Sequence, residues 1–395
     1  MRTVVSTSGR QNLMLIIGIL AIAATLRVAF TGAAPLLDSI RADYGLTTAQ
    51  TGLLTTLPLL AFALVSPLAA GVARRFGIER CLLAAMLLIC AGIALRSLPS
   101  PVWLYSGTAV IGCGIAIGNV LLPGLIKRNY AHSVAKMTGA YSVTMGGAAA
   151  LGSALMVPLA LNGFGWRGAL LMLIVFPLLA FLLWLPQWRQ HAAAPLTNSG
   201  ALHSKGIWRS ALAWQVTLFL GINSLVYYVI VGWLPAILIS QGYSEAQAGS
   251  LHGLLQLATA APGIAIPLVL HKLRDQRGIA ILVSLMCVLS AFGFWLVPSQ
   301  ALLWTLIYGF GSGATIILGL TFISLRTHSA HQAAALSGMA QSVGYLLAAG
   351  GPPLMGKIHD LTGDWHIPLM IIAVIALLMA VFGALAGRDR AIHPR

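Results

Sequence analysis

Acidic residues are scarce in this chain: Asp and Glu together number eight in 395 residues. Charge of either sign makes up only 8%, where a soluble domain carries about 25%. With 58% hydrophobic residues, there is too little polar surface to coat a soluble body, and the composition points to a membrane protein. Cys81, Cys90, Cys113 and Cys287 lack zinc-ligand spacing and fall in apolar runs, which speaks against a metal knot or a disulfide framework. There is no HExxH, no G-x-S-x-G and no P-loop. None of the acids lies inside an apolar run, so the carboxylate pair an integral-membrane enzyme would need is missing too. No metal, no cofactor and no enzymatic activity are expected.

What the chain does have is length in apolar runs. Twelve approach the ~20 residues that cross a bilayer: 13–37, 47–70, 81–98, 102–126, 136–161, 168–186, 211–239, 246–270, 279–297, 301–325, 333–356 and 366–387. The first 25 residues, with "AIA" at 21–23, imitate a cleavable signal peptide, but eleven further runs behind them favour an uncleaved first helix. The net charge of +15 would suit nucleic acid if it were clustered. With the N-terminus inside and the runs alternating, eighteen Lys and Arg fall on the cytoplasmic side and four outside, and Arg27 completes the 23. That split follows the positive-inside rule. The expected setting is a membrane crossed many times, with both termini cytoplasmic, a lipid partner and no nucleic acid.

The longest polar interruption, 187–210, divides the chain into a half at 1–186 and a half at 211–395, joined by a cytoplasmic linker. The halves echo each other: "GAAP" (32–35) and "GWLP" (232–235), "AQTG" (49–52) and "AQAG" (246–249), "GCG" (112–114) and "GSG" (311–313), "GWR" (165–167) and "GDW" (363–365). Each match alone is weak, but four in one order indicate duplication. An all-α protein of twelve transmembrane helices in two pseudo-symmetric six-helix halves suits a secondary transporter, with its substrate site near the midplane between the halves.

After the second run the chain reads "AGVARRFGIER" (70–80), similar to the helix 2–3 loop signature of the major facilitator superfamily. Ala73, Arg75, Phe76 and Gly77 match that signature, whereas Arg74 stands where it has an acid. The resemblance implies that Arg74, Arg75 and Gly77 belong to a gating loop. Two further stretches, "LRVAFTGAAPLLDSIRADYGLT" (26–47) and "GIAIGNVLLPGLIKR" (114–128), resemble the cyanate-transporter family within it. This implies alternating-access transport of a small planar polar or anionic solute by a monomer. Efflux of 2-nitroimidazole-type compounds is the first expectation, and uptake of a small anion such as cyanate the alternative.

Arg27 is the one charge inside the predicted membrane core, and an isolated buried cation is costly. Its compensation must come from carbonyls, hydroxyls, water or an anionic ligand. Polar residues at helical spacing suggest which faces line a cavity with it: Thr31 in the first run, Asn119 and Tyr141 in the fourth and fifth, Asn223, Tyr227, Tyr228 and Trp233 in the seventh. His252 and Gln256 in the eighth, Tyr308 in the tenth, and Gln341 and Tyr345 in the eleventh complete the set. Any one of them alone is as readily helix-packing glue as pocket. His252 could serve proton coupling or act as a neutral hydrogen-bonding group. Together they describe a small cavity with one cation, several amides and several rings.

Overall fold

The structure, a computed structural model, describes residues 9–130, 133–189, 204–270, 272–328 and 330–392. Most of the expected 187–210 linker lies outside these residues. Every regular element among them is helical. The first half contains α1 (Gly9–Thr31), α2 (Thr48–Phe76), α3 (Ile78–Arg96), α4 (Pro101–Asn129), α5 (Val134–Leu159) and a two-piece α6 (Gly165–Met172 and Val175–Trp184). The second contains α7 (Ala211–Ser240), a two-piece α8 (Glu245–Ala260 and Pro262–Leu270), α9 (Arg277–Leu296), α10 (Ala301–Leu325), α11 (Ala330–Thr362) and α12 (His366–Ala386).

Ten helical stretches among the described residues are long and apolar enough to cross a bilayer. One of them, Gly139–Arg189, runs for 51 residues. It turns at Gly163 and Gly165, where φ is +97° and +64°, and so supplies both α5 and α6. The 33-residue α11 is the twelfth crossing; its greater share of polar side chains keeps it outside the ten. The predicted run 13–37 differs most. The α1 helix stops at Thr31, and the chain continues through a 3-10 turn (Ala34–Leu36) into a short helix, Leu37–Tyr44. Pro35 sits in the first turn of that 3-10 segment, where its missing N–H costs nothing.

The internal echoes have physical causes. Thr47 and Gln50 form a capping box that starts α2, and Ser244 and Gln247 form the same box at α8. Each satisfies two N–H groups that a helix start leaves open. In "GCG", a methyl on Gly112 would come 2.6 Å from Pro58 Cα of α2, and one on Gly114 2.8 Å from the Ala85 carbonyl of α3. In "GSG", Gly313 meets the Thr259 carbonyl of α8 at 2.2 Å and Gly311 the Val283 carbonyl of α9 at 2.9 Å on the same measure. Each motif therefore lets one helix press against two neighbours at once. "GWR" and "GDW" open with Gly165, the first residue of α6, and Gly363, just before α12, both with positive φ.

Two buried apolar clusters result. One gathers side chains from Ile19 to Trp184, with Ala348 and Ala349 of α11 added; the other runs from Ile207 to Ile392. The halves meet along α2 with α11 and α5 with α8. At the end of the bundle away from both termini these seams are tight. Thr56 donates to the Ala349 carbonyl at 2.7 Å, and the Asp360 carboxylate accepts from the Thr48 and Ala49 N–H groups at 3.2 and 3.1 Å. Glycines let backbones touch: a methyl on Gly52 would lie 2.9 Å from the Pro352 carbonyl, and one on Gly253 2.7 Å from that of Ala150. This end is closed.

Candidate functional site

Arg27 stands one turn before the break that ends α1, pointed across the gap between the halves. Its Nη2 donates to the Tyr227 hydroxyl of α7, and Nε and Nη2 both reach Gln256 Oε1 of α8, at 3.4 and 3.2 Å. Tyr227 also donates to that oxygen at 3.1 Å, and its ring lies 5.2 Å from the guanidinium carbon. The expected compensation for the buried cation is thus a hydroxyl, an amide oxygen and a ring face, supplied by two helices of the other half. A hydrogen bond to a charged group contributes about 1.5–3 kcal/mol, so this set offsets much of the desolvation cost. Gln256 is fully buried, yet its Nε2 has no hydrogen-bond partner in the structure. Reversing the amide would aim that N–H₂ at Arg27, so the assignment follows from its neighbours.

An aromatic cluster adjoins this centre. Phe30 packs edge-on against Tyr228 at 5.4 Å and lies 6.4 Å from Phe62. Phe62 packs against Tyr345 at 5.4 Å, and Tyr228 against Tyr227 at 5.2 Å. Tyr141, Tyr228 and Tyr345 all lie within electrostatic reach of Arg27. The rings come from α1, α2, α5, α7 and α11, so both halves contribute. Phe30 and Phe62 were not among the expected residues. Phe30 is one turn from Arg27 and shares its face, but a phenylalanine in an apolar run carries no polar signal to single it out.

The other expected residues sit elsewhere or are otherwise engaged. Thr31 donates to the Arg27 carbonyl within α1 at 3.1 Å. Asn223 and Ser312 pair reciprocally between α7 and α10. Trp233 donates to the Pro352 carbonyl at 2.9 Å. Both ring nitrogens of His252 are engaged, with Ser153 of α5 and the Val231 carbonyl, each at 2.8 Å. Tyr308 is buried beside Ser312. Gln341 is exposed and bonded to Ser337. Asn119 is half-buried, next to the Gly118 that gives way to Leu26 of α1. At the expected gating loop, Gly77 turns the chain with φ +89°, Arg75 lies over Phe76, and Arg74 belongs to the last turn of α2.

Three charges at the ends of the membrane runs are buried. Glu79 lies in the first turn of α3, 2% exposed, and pairs with Arg128. Arg96 is the last residue of α3 and 3% exposed. Arg326, just after α10 and 2% exposed, donates to the Ala386 and Gly387 carbonyls and to Gln276. Each stands at the edge of an apolar run, where a run-based reading assigns it to a loop.

The chain arranges a cation, amides and rings between two helical halves closed at one end, with no group of His, Cys, Asp or Glu placed to hold a metal among the described residues. Residues 14–349 match the family model described as Major Facilitator Superfamily. The 2-nitroimidazole transporter of Escherichia coli K12 is 75% identical over 388 residues, covering 98% of this chain and 99% of that one. The cyanate transport protein CynX of the same organism is 26% identical, covering 86% of this chain and 88% of its own. Among solved structures, a bacterial homolog of the human lysosomal transporter Spinster, 17% identical, superposes with a TM-score of 0.76 over 96% of this chain and 97% of that one.

Proposed function

The chain belongs to the Major Facilitator Superfamily, and from that premise we propose that it exports 2-nitroimidazole-type compounds across the bacterial inner membrane by alternating access. It is a membrane transporter, not an enzyme. The observation that carries the reading is the Arg27 centre, held by α1 on one side and by α7 and α8 on the other. A guanidinium fork matches two acceptor oxygens in a plane, as a nitro group presents them. The unpartnered Gln256 Nε2 offers a further donor, and the rings of Tyr228, Tyr345, Phe30 and Phe62 supply faces for a flat heterocycle. The name of the 75%-identical relative supports the same cargo.

On this reading residues 1–186 and 211–395 are the two rocking units, 187–210 is their cytoplasmic link, and both termini lie in the cytoplasm. The excess of Lys and Arg on that side supports the orientation. The closed end then faces outward, and the site opens inward. The protein works as a monomer in the bilayer and takes no nucleic acid. Uptake of a small anion such as cyanate is the second reading, favoured by the unpaired positive charge of the site.

Flux of 2-nitroimidazole and of cyanate in proteoliposomes, with and without a proton gradient, tests both. Export of the heterocycle should fall at least about tenfold in Arg27→Ala, the loss of one charge-assisted contact or more. Arg27→Lys should recover little, because an ammonium lacks the fork. Unimpaired flux in both variants would sink the assignment of Arg27, and cyanate flux without heterocycle flux would favour the second reading.

A further inference from the structure

Arg96 marks a second place where a buried cation waits for a partner. Its Nε and Nη2 are buried and make no hydrogen bond in the structure, and none of the salt bridges among the described residues involves it. Its backbone is pinned to α4: a methyl on Gly107 would lie 2.4 Å from the Arg96 nitrogen, and one on Gly92 2.7 Å from the Gly107 carbonyl. With α3 and α4 in such contact, the Arg96 backbone cannot move toward water without parting the helices. An unpaired buried charge costs several kcal/mol, so some counter-group is required.

The cavity that Arg96 lines has a volume of about 30 Å³. Its only other polar side chains are Thr55 and Thr108; the rest of the wall is apolar. One water needs ~10–15 Å³, so this space has room for two or three waters or for one small anion. We propose that Arg96 anchors a second anion site, which takes one small inorganic monovalent anion such as chloride. Thr108 already donates to the Leu104 carbonyl at 2.7 Å, so the guanidinium is the main donor.

The cavity wall is shared between the halves. Ala29, Thr55 and Leu104 come from α1, α2 and α4, while Val231 and Gly232 come from α7 of the second half. A methyl on Gly232 would meet Thr55 Oγ1 at 3.0 Å, so the far wall exists only while α7 rests on α2. The anion therefore binds the state closed at this end better than one in which the halves have parted, and shifts the population toward it.

The test is thermal unfolding of the full chain in detergent, titrated with chloride against gluconate at constant ionic strength. The wild type should show a saturable chloride-dependent rise in Tm that bromide reproduces. Arg96→Gln should lose the rise, and Arg27→Gln should keep it. Arg96→Lys, which retains the charge for folding, should shift the chloride midpoint upward about tenfold, as one lost charge-assisted bond implies. Equal stability in chloride and gluconate for the wild type overturns the proposal and leaves the cavity to water. So does a rise that survives Arg96→Gln, or one that vanishes with Arg27→Gln instead.

Discussion

Gln256 carries the polar centre on a single atom: its Oε1 receives Arg27 twice and Tyr227 once. Two substitutions there separate stability from transport. Gln256→Leu strands the Arg27 charge and should cost about 3–5 kcal/mol, the usual penalty for removing one partner of a buried charge, read as a lower Tm together with lost flux. Gln256→Glu gives Arg27 a carboxylate it cannot easily release. Tm should hold or rise while flux falls, and a Gln256→Glu protein with wild-type flux would contradict the role proposed for Arg27 as the cargo's partner. Arg27 was legible in the sequence because a charge in mid-run stands out against apolar neighbours. Arg96 was not, because it stands next to the end of the run at 81–98, where a charge reads as the start of a loop. The engaged states of Asn223, Trp233 and His252 were likewise illegible: an amide or ring at helical spacing looks the same whether it faces a pocket or a neighbouring helix.

Helices α4 and α10 each owe their place to a Gly-x-Gly motif that presses on two neighbours. Gly313→Val puts branched bulk where a single methyl would already lie 2.2 Å from the Thr259 carbonyl. Such overpacking should cost about 1–3 kcal/mol and lower the Tm of the purified protein. Gly338→Val is the control: a Cβ there meets nothing within 4 Å, and the change should leave Tm nearly unmoved. Element number and order followed from run length and from the four repeated motifs, whose capping boxes and positive-φ glycines are chemistry visible in letters. The break in α1 did not. "GAAP" and "GWLP" read alike, yet α1 ends at Thr31 whereas α7 runs on through Pro235 to Ser240. The difference lies in packing: Trp233 of α7 is tied to the Pro352 carbonyl, and the first half has no such anchor for Ala33.

Across the whole molecule the closed end rests on few polar ties, and Asp360 is the most economical of them. Its carboxylate caps the first turn of α2 from the opposite half, where the N–H groups and the helix dipole favour negative charge. Asp360→Ala should weaken closure by about 1 kcal/mol, as loss of a cap does, and raise the share of molecules open at that end severalfold. Thiol labelling of a Thr55→Cys reporter on the Asp360→Ala and native backgrounds measures this; equal labelling rates would show that closure does not depend on the cap.

Much of that closure is made by glycines and main chain: Gly52 on Pro352, Gly253 on Ala150, Gly249 on Ser153 and Gly356 on Thr48. A seam of interlocked side chains must repack when it opens and search for its fit again when it shuts, losing rotamer freedom each time. Glycine contacts of this kind leave little to repack. Where these glycines meet main chain the faces can separate and return with little repacking, so the side chains that must find their partners again at each closure are few, Thr56 and Asp360 among them.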